Sequence, residues 1–338
     1  MPASYNGNNG NNGNNGNAAN SGSGNATSAS SGWFFADRVN LPFVTTPDSG
    51  PYAVPPQAIG QLNIINDVMR FPARNWSAEW FSWLGLIEFA ASNWQTINPA
   101  NPPPPPFPQY WPNWVPAPPP PTAPLIDWAT LNPAVIQTEI NGLVIAAANE
   151  RADALGEILS QANEFISYFL NLLTANPGAY PQTTKVLTLA GQIGTFVAMY
   201  FKGLYKRPRA SELCPALLPP IQVPGHASFP SGHSTQAHLM ALCMNDILAG
   251  LPQQHTVMDD LWTLADRIAR NREIAGLHYP SDTAAGKAIA LATLPHLQTS
   301  TPIFLTGTSL NGLSLNGINL YHHAVALAQA EWQLEDGP

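Results

Sequence analysis

From Ala134 onward the apolar residues recur at helical spacing, in blocks bounded by Pro, Gly and Asn, and strand-like alternation is scarce. That pattern restricts the chain to an all-α architecture, a helical bundle. Asn132-Pro133 opens a helical region reaching about residue 174, expected as a pair of helices or one bent helix because Gly142 and Gly156 interrupt it. Gly178 and Pro181 end that region and start a helix over residues 182–205. Further helices are expected near 231–249, 256–276, 280–294 and 317–333, with 301–316 irregular.

The N-terminal third reads differently. Residues 1–32 are rich in Asn, Gly, Ser and Ala, carry an Asn-Asn-Gly repeat, and cannot offset their ordering entropy by burial. A disordered tail is expected there. Residues 57–69 and 77–95 have helical spacing, the second with Trp80, Phe81, Trp83, Leu84, Leu86, Ile87 and Phe89. Residues 101–121 are too proline-dense for helix or central strand, and read as a polyproline-II strap with Tyr110, Trp111 and Trp114 interleaved. The expected organisation is a tail (1–32), N-terminal helices and strap packed on the core (33–125), and the bundle (126–338).

Charge is the second constraint. Charged residues make up 10% of a chain of net charge -8, against about 25% in average proteins. Yet seven of the thirteen cations fall in two short segments: Lys202, Lys206, Arg207 and Arg209, then Arg267, Arg270 and Arg272. A pI near 5.4 speaks against nucleic-acid and anionic-membrane surfaces, so the clustered cations serve one site rather than a face. Between them stands Pro230-Ser231-Gly232-His233, opening a helix whose first N–H groups suit an anion. Lys202, Arg209 and Arg272 would supply cations to a tetrahedral oxyanion, and Gly232 would let the backbone approach it. Pro280 starts the following helix, so Asp282 can turn back to one nitrogen of His278 and leave the other free to attack or ligate. His233 is the second imidazole, placed as general acid or base. His238 is read as packing, His322-His323 as surface, and Cys243 as core.

These blocks resemble the signature of the type-2 phosphatidic-acid-phosphatase and vanadium-haloperoxidase superfamily: Lys-x6-Arg-Pro, Pro-Ser-Gly-His, and Ser-Arg-x5-His-x3-Asp. Lys202 and Arg209 match the first, residues 230–233 the second, and Arg272, His278 and Asp282 the third. The match spans about 202–282. Ala210 replaces the family's Pro, Arg207-Pro208 stands two residues earlier, and Asn271 replaces Ser. Arg207 therefore rivals Arg209 for the anion; the Lys202 spacing favours Arg209.

The resemblance implies a helical bundle of the haloperoxidase and acid-phosphatase type. It implies that Lys202, Arg209, Ser231, Gly232 and Arg272 hold the oxyanion, that His233 is the acid–base, and that Asp282 orients His278. His278 is then either a phosphorylated nucleophile or the ligand of vanadium. The stretch from His226 to Gln236 looks like algal bromoperoxidases, which carry His and Gln at those two positions. On that basis His226 is a candidate halide or peroxide site, and the favoured expectation is a vanadate-dependent haloperoxidase using hydrogen peroxide and halide, bromide first. The alternative is a soluble phosphomonoesterase working through phosphohistidine, with no cofactor. A non-enzymatic scaffold is disfavoured because no catalytic position is substituted. No signal peptide is visible, and the best apolar run, 186–201, is shorter than the ~18–20 residues of a span, so a cytoplasmic protein without membrane contact is expected. Much apolar helix surface beside few charges suits homo-oligomerisation through bundle faces.

Overall fold

The computed structural model describes residues 76–97, 133–251, 254–305, 309–310 and 313–333. The expected tail, the helix at 57–69 and the proline strap lie outside these residues. The described chain is helical: α1 (Ala78–Ala90), α2 (Pro133–Asn149), α3 (Arg151–Gln161), α4 (Ile166–Leu172), α5 (Pro181–Tyr205), α6 (Ala210–Leu213), α7 (Gly232–Ile247), α8 (Gln254–Ile274), α9 (Pro280–Gln298) and α10 (Leu320–Gln333). Short 3-10 turns follow α1 (Trp94–Thr96) and α6 (Pro215–Leu217). The stretch expected to be irregular contains a two-residue ladder, Ser309–Leu310 against Leu313–Ser314.

The expected break points in the first helical region were misplaced. Gly142 and Gly156 sit inside α2 and α3, where a Cβ would meet nothing within 4 Å. A glycine costs a helix about 1 kcal/mol without ending it. The chain breaks instead at Glu150 and over 162–165, giving three helices. Likewise α9 runs through Pro295 to Gln298 rather than stopping at 294.

Helix α7 forms the core of the described bundle, buried along nearly its whole length and packed mainly against α5, α8 and α9. Two glycines permit the close contacts. A Cβ on Gly194 of α5 would lie 2.9 Å from the Cα of Gln236, and one on Gly286 of α9 would lie 2.7 Å from the carbonyl oxygen of Ser231. Small residues therefore set how closely α5 and α9 clasp the helix that carries Pro-Ser-Gly-His. Glu331 of α10 caps α5 by accepting from the Gln182 and Thr183 N–H groups at 2.7 and 2.9 Å. Buried Glu88 of α1 accepts from the Ile303, Phe304 and Leu320 N–H groups. No helix among the described residues is long and apolar enough to cross a membrane. Cys214 and Cys243 are both free thiols.

Candidate active site

Helix α5 ends at Lys206, whose left-handed φ of 49° terminates it, and the chain then carries Arg207-Pro208-Arg209 across the ends of α7 and α9. The two arginines diverge. Arg207 gives Nη1 to Asp282 Oδ1 at 2.8 Å and Nη2 to Glu139 Oε2 at 2.8 Å, with its guanidinium 3.5 Å above the Tyr279 ring. Arg209 gives Nη1 to the Leu277 carbonyl at 2.9 Å and approaches His278 Nε2 at 3.1 Å. The two are distinguished by geometry: Arg209 faces Nε2 of His278, and Arg207 faces the Asp282 carboxylate on its other side.

Asp282 is placed by the helix it begins. Tyr279 is the N-cap of α9, Pro280 its first residue, and the Asp282 side chain returns to accept the Tyr279 N–H at 3.1 Å. The same Oδ2 faces His278 Nδ1 at 3.0 Å and accepts a short hydrogen bond from Ser228 Oγ. Against burial, which raises it, the hydrogen bond from His278, the Arg207 charge and the Ser228 hydrogen bond hold the Asp282 carboxyl well below the usual carboxylate range. An ionised Asp282 takes the Nδ1 hydrogen, so Nε2 of His278 presents its lone pair toward Arg209. Burial, then the Arg209 charge, keep this imidazole well below its ordinary pKa, hence neutral.

His233 lies in the first turn of α7 with Nε2 on the Gln161 carbonyl at 2.9 Å and its ring 5.2 Å from Phe165. Gln161 is in turn held by Asn271 Nδ2 at 2.9 Å, so the Asn that replaces the family's Ser ties α8 to α3 behind His233. Burial, followed by the charges of Arg272, Lys202 and Arg209, depresses His233. Arg272 Nη2 donates to the Ile158 carbonyl at 2.9 Å, while its buried Nε and Nη1 have no hydrogen-bond partner. Two unpaired guanidinium nitrogens in a core are costly unless a ligand takes their hydrogens. Ser231 caps α7, its Oγ accepting the Ser234 N–H at 3.3 Å and its own N–H donating to the Asp282 carbonyl at 2.9 Å, which leaves the Gly232 N–H next in the turn.

Other expectations need correcting. Lys202 reaches the site, but its ammonium donates to the carbonyls of Ala227, Ser228 and Pro230 at 2.9, 2.8 and 2.6 Å. Its three hydrogens hold the loop before Pro-Ser-Gly-His, so its influence on an anion is by charge. Of the three arginines before His278, only Arg272 enters the site; Arg267 pairs with Glu157, and Arg270 with Glu150 and Glu273. Gln236 faces α5, donating to Thr195 Oγ1 at 2.9 Å, and does not accompany His226. His226 does belong: its Nδ1 lies 3.0 Å from Arg209 Nη2 and 3.0 Å from the Ala227 carbonyl. Arginine can only donate, so the neutral ring accepts there and the carbonyl contact is secondary. His238 is packing, wedged between the Ser234 carbonyl, Asp266 and Trp262. Ser228 and Glu139 were missed. Ser228 stands inside the His226–His233 string and could have been singled out, whereas Glu139, 68 residues before Arg207, has no local signal.

Comparison with known proteins agrees with this geometry. Residues 184–301 match the PAP2 superfamily. Over 135 residues the chain is 32% identical to decaprenylphosphoryl-5-phosphoribose phosphatase of Mycobacterium tuberculosis, in strains CDC 1551 / Oshkosh and ATCC 25618 / H37Rv, covering 39% of this chain and 70% of that protein.

The chain belongs to the PAP2 superfamily.

As a PAP2 protein it is an enzyme of a phosphatase superfamily, and the relatives it matches are named as phosphatases. Among solved structures it is similar to the transmembrane PAP2 type phosphatidylglycerolphosphate phosphatase from Bacillus subtilis, with a TM-score of 0.30 and 16% identity over 50% of this chain and 77% of that one. The expectation of a cytoplasmic protein is withdrawn: it rested on the absence of a spanning helix, and that absence among the described residues assigns no compartment. The matched segment begins in α5 and ends after α9, so it contains every residue of the three sequence blocks and excludes α2, α3 and α4.

Proposed function

We propose that this protein is a phosphatase that cleaves small phosphoesters through a phosphohistidine on His278. The observation that carries the reading is the orientation of His278, with Nδ1 on Asp282 at 3.0 Å and Nε2 facing Arg209 at 3.1 Å. Nε2 attacks phosphorus and forms the N–P bond as the ester P–O bond breaks. His233 gives its proton to the departing alkoxide, and the alcohol leaves. Water then attacks the phosphohistidine, His233 takes a proton from it, the N–P bond breaks, and inorganic phosphate is released. Arg272 Nε and Nη1, a remaining Nη2 hydrogen of Arg209 and the Gly232 N–H receive the charge on the equatorial oxygens. His233 is depressed chiefly by burial and by Arg272; a bound dianion offsets that charge and favours the protonated acid.

The phosphatase reading now stands ahead of the haloperoxidase one. The matched relatives are named as phosphatases, and Gln236, half of the bromoperoxidase likeness, is turned to α5. Vanadate fits the same donors, the unpaired Arg272 groups above all, and when bound there supplies a mimic of the phosphoryl group in transfer. Turnover of p-nitrophenyl phosphate, inhibited by vanadate and lost in His278→Ala, is the expected result. Inert apo-protein together with bromide oxidation by the vanadate-loaded protein and peroxide would reverse the order.

A further inference from the structure

Glu139 lies on α2, outside the residues that match the PAP2 superfamily, and no sequence block contains it. Its carboxylate accepts three hydrogen bonds: from Arg207 Nη2 at 2.8 Å, from the Ser281 N–H at 2.8 Å, and from Ser281 Oγ at 3.0 Å. Arg207 meanwhile gives Nη1 to Asp282 Oδ1 and to Ser281 Oγ, at 2.8 and 2.7 Å. Glu139 therefore grips, from one side, both the arginine that balances Asp282 and the first turn of the helix that carries Asp282. The assembly is enclosed, with side-chain exposures of 15% for Glu139, 4% for Arg207 and 0% for Asp282.

The need for such a grip follows from how Asp282 is shared. Its Oδ1 takes Arg207, while Oδ2 takes Ser228, the Tyr279 N–H and His278 Nδ1. A guanidinium facing a single carboxylate can slide or turn to contact both oxygens. Arg207 on Oδ2 would compete with the His278 Nδ1–H for that atom and loosen the imidazole. A second carboxylate on the other guanidinium nitrogen removes that freedom, because Arg207 must then span two fixed anions. The contact with Ser281 fixes the helix turn against the same carboxylate.

We infer that Glu139 is a positioning residue for the reaction: it holds Arg207 on Oδ1 of Asp282 and thereby reserves Oδ2 for His278, fixing the direction of Nε2. The inference deepens the phosphohistidine reading, and its kinetic arm rests on that reading.

The test uses the full chain with Glu139→Gln and Glu139→Asp, the second keeping the charge and serving if the first fails to fold. Three quantities are measured: p-nitrophenyl phosphate kinetics, vanadate inhibition, and the solvent-exchange rate of the low-field His278 Nδ1 proton resonance, assigned by its loss in His278→Gln. Glu139→Gln should lower kcat by about 10-fold or more, leave KM and the vanadate inhibition constant unchanged, and speed exchange of the Nδ1 proton. Glu139→Asp should recover part of the loss. An unchanged kcat with an unchanged resonance overturns the inference. So does a loss that falls equally on KM and vanadate inhibition while the resonance stays fixed, since that marks general loosening. If the wild-type protein hydrolyses no phosphoester, the phosphatase reading fails and the resonance alone decides: faster exchange in Glu139→Gln sustains the positioning role, and unaltered exchange rejects it.

Discussion

Arg209 Nη1 lies 3.1 Å from Nε2 of His278, on the side of the imidazole opposite Asp282. The proposed nucleophile is thus held between an acceptor that takes its hydrogen and a donor that faces its lone pair. The donor must yield part of that contact to the phosphoryl group when substrate enters, so the two arginines of Arg207-Pro208-Arg209 should fail in different ways.

Arg209→Lys removes a planar fork from the anion and from His278, while Arg207→Lys removes the span between Asp282 and Glu139, with its contacts to Ser281 and Tyr279, and touches no proposed anion donor. A hydrogen bond to a charged group is worth about 1.5–3 kcal/mol, so Arg209→Lys should weaken vanadate inhibition about 10- to 100-fold. Arg207→Lys should lower kcat and leave vanadate inhibition nearly unchanged. Equal losses of vanadate affinity in the two variants would contradict the division of labour.

Arg272 has its Nε and Nη1 buried without a protein hydrogen-bond partner. Each such group costs about 1–3 kcal/mol. Arg272→Met keeps the length of the side chain and removes those donors, at the loss of one bond to the Ile158 carbonyl. The variant should melt no lower than wild type when free of ligand. Phosphate or vanadate at 100 times its dissociation constant should stabilise the wild type by about 2.7 kcal/mol and leave Arg272→Met unmoved. Thermal melts with and without the anion decide it, and an anion-dependent rise in the variant would mean that Arg272 is not the principal contact.

The glycines should separate by packing. A Cβ on Gly286 would lie 2.7 Å from both the Ser231 oxygen and the Ser234 Cβ, whereas one on Gly142 would meet nothing within 4 Å. Gly286→Ala pushes α9, and Asp282 with it, away from α7; a loss of about 1–3 kcal/mol is expected from overpacking, with activity falling beyond the unfolded fraction. Gly142→Ala should stabilise by about 0.5–1 kcal/mol through helix propensity. Urea denaturation of both variants checks the pair, and similar midpoints would show that the α7–α9 approach can relax.

How much of this was legible beforehand depended on how local each relationship is. Asp282 was readable because a helix start places its N3 side chain beside its own N-cap, so Pro280 and the four-residue step from His278 sufficed. The helical class was readable because amphipathic spacing is a property of short windows. The fates of Arg267, Arg270 and Arg272 were not, because neighbours on a helix point to different faces and the partners, Glu157, Glu150 and the Ile158 carbonyl, come from distant helices. Lys202 matched its motif, yet the motif could not reveal that three carbonyls of the loop after α6 would occupy its hydrogens. Glu139 was invisible for the same reason: its meaning exists only once α2 lies against the start of α9.

His226 supplies a pH test with a defined sign. Burial, followed by the charges of Lys202 and Arg209, lowers its imidazole to about 4, against about 6.5 in an unfolded chain. Between those values the unfolded state binds a proton that the folded state refuses, so stability falls as pH drops through that window and is regained above it. His226→Asn removes this titration and keeps a side-chain oxygen to accept from Arg209. Urea midpoints measured at close pH steps across the window should therefore fall less in His226→Asn than in wild type. His233 and His278 are also depressed by burial and remain in the variant, so the slope should be reduced rather than abolished. Parallel wild-type and variant curves would mean that His226 titrates normally in the folded protein. Below about pH 6.5 its contact with Arg209 would then set a charged imidazole beside a guanidinium, and the ring could not serve there as a neutral acceptor.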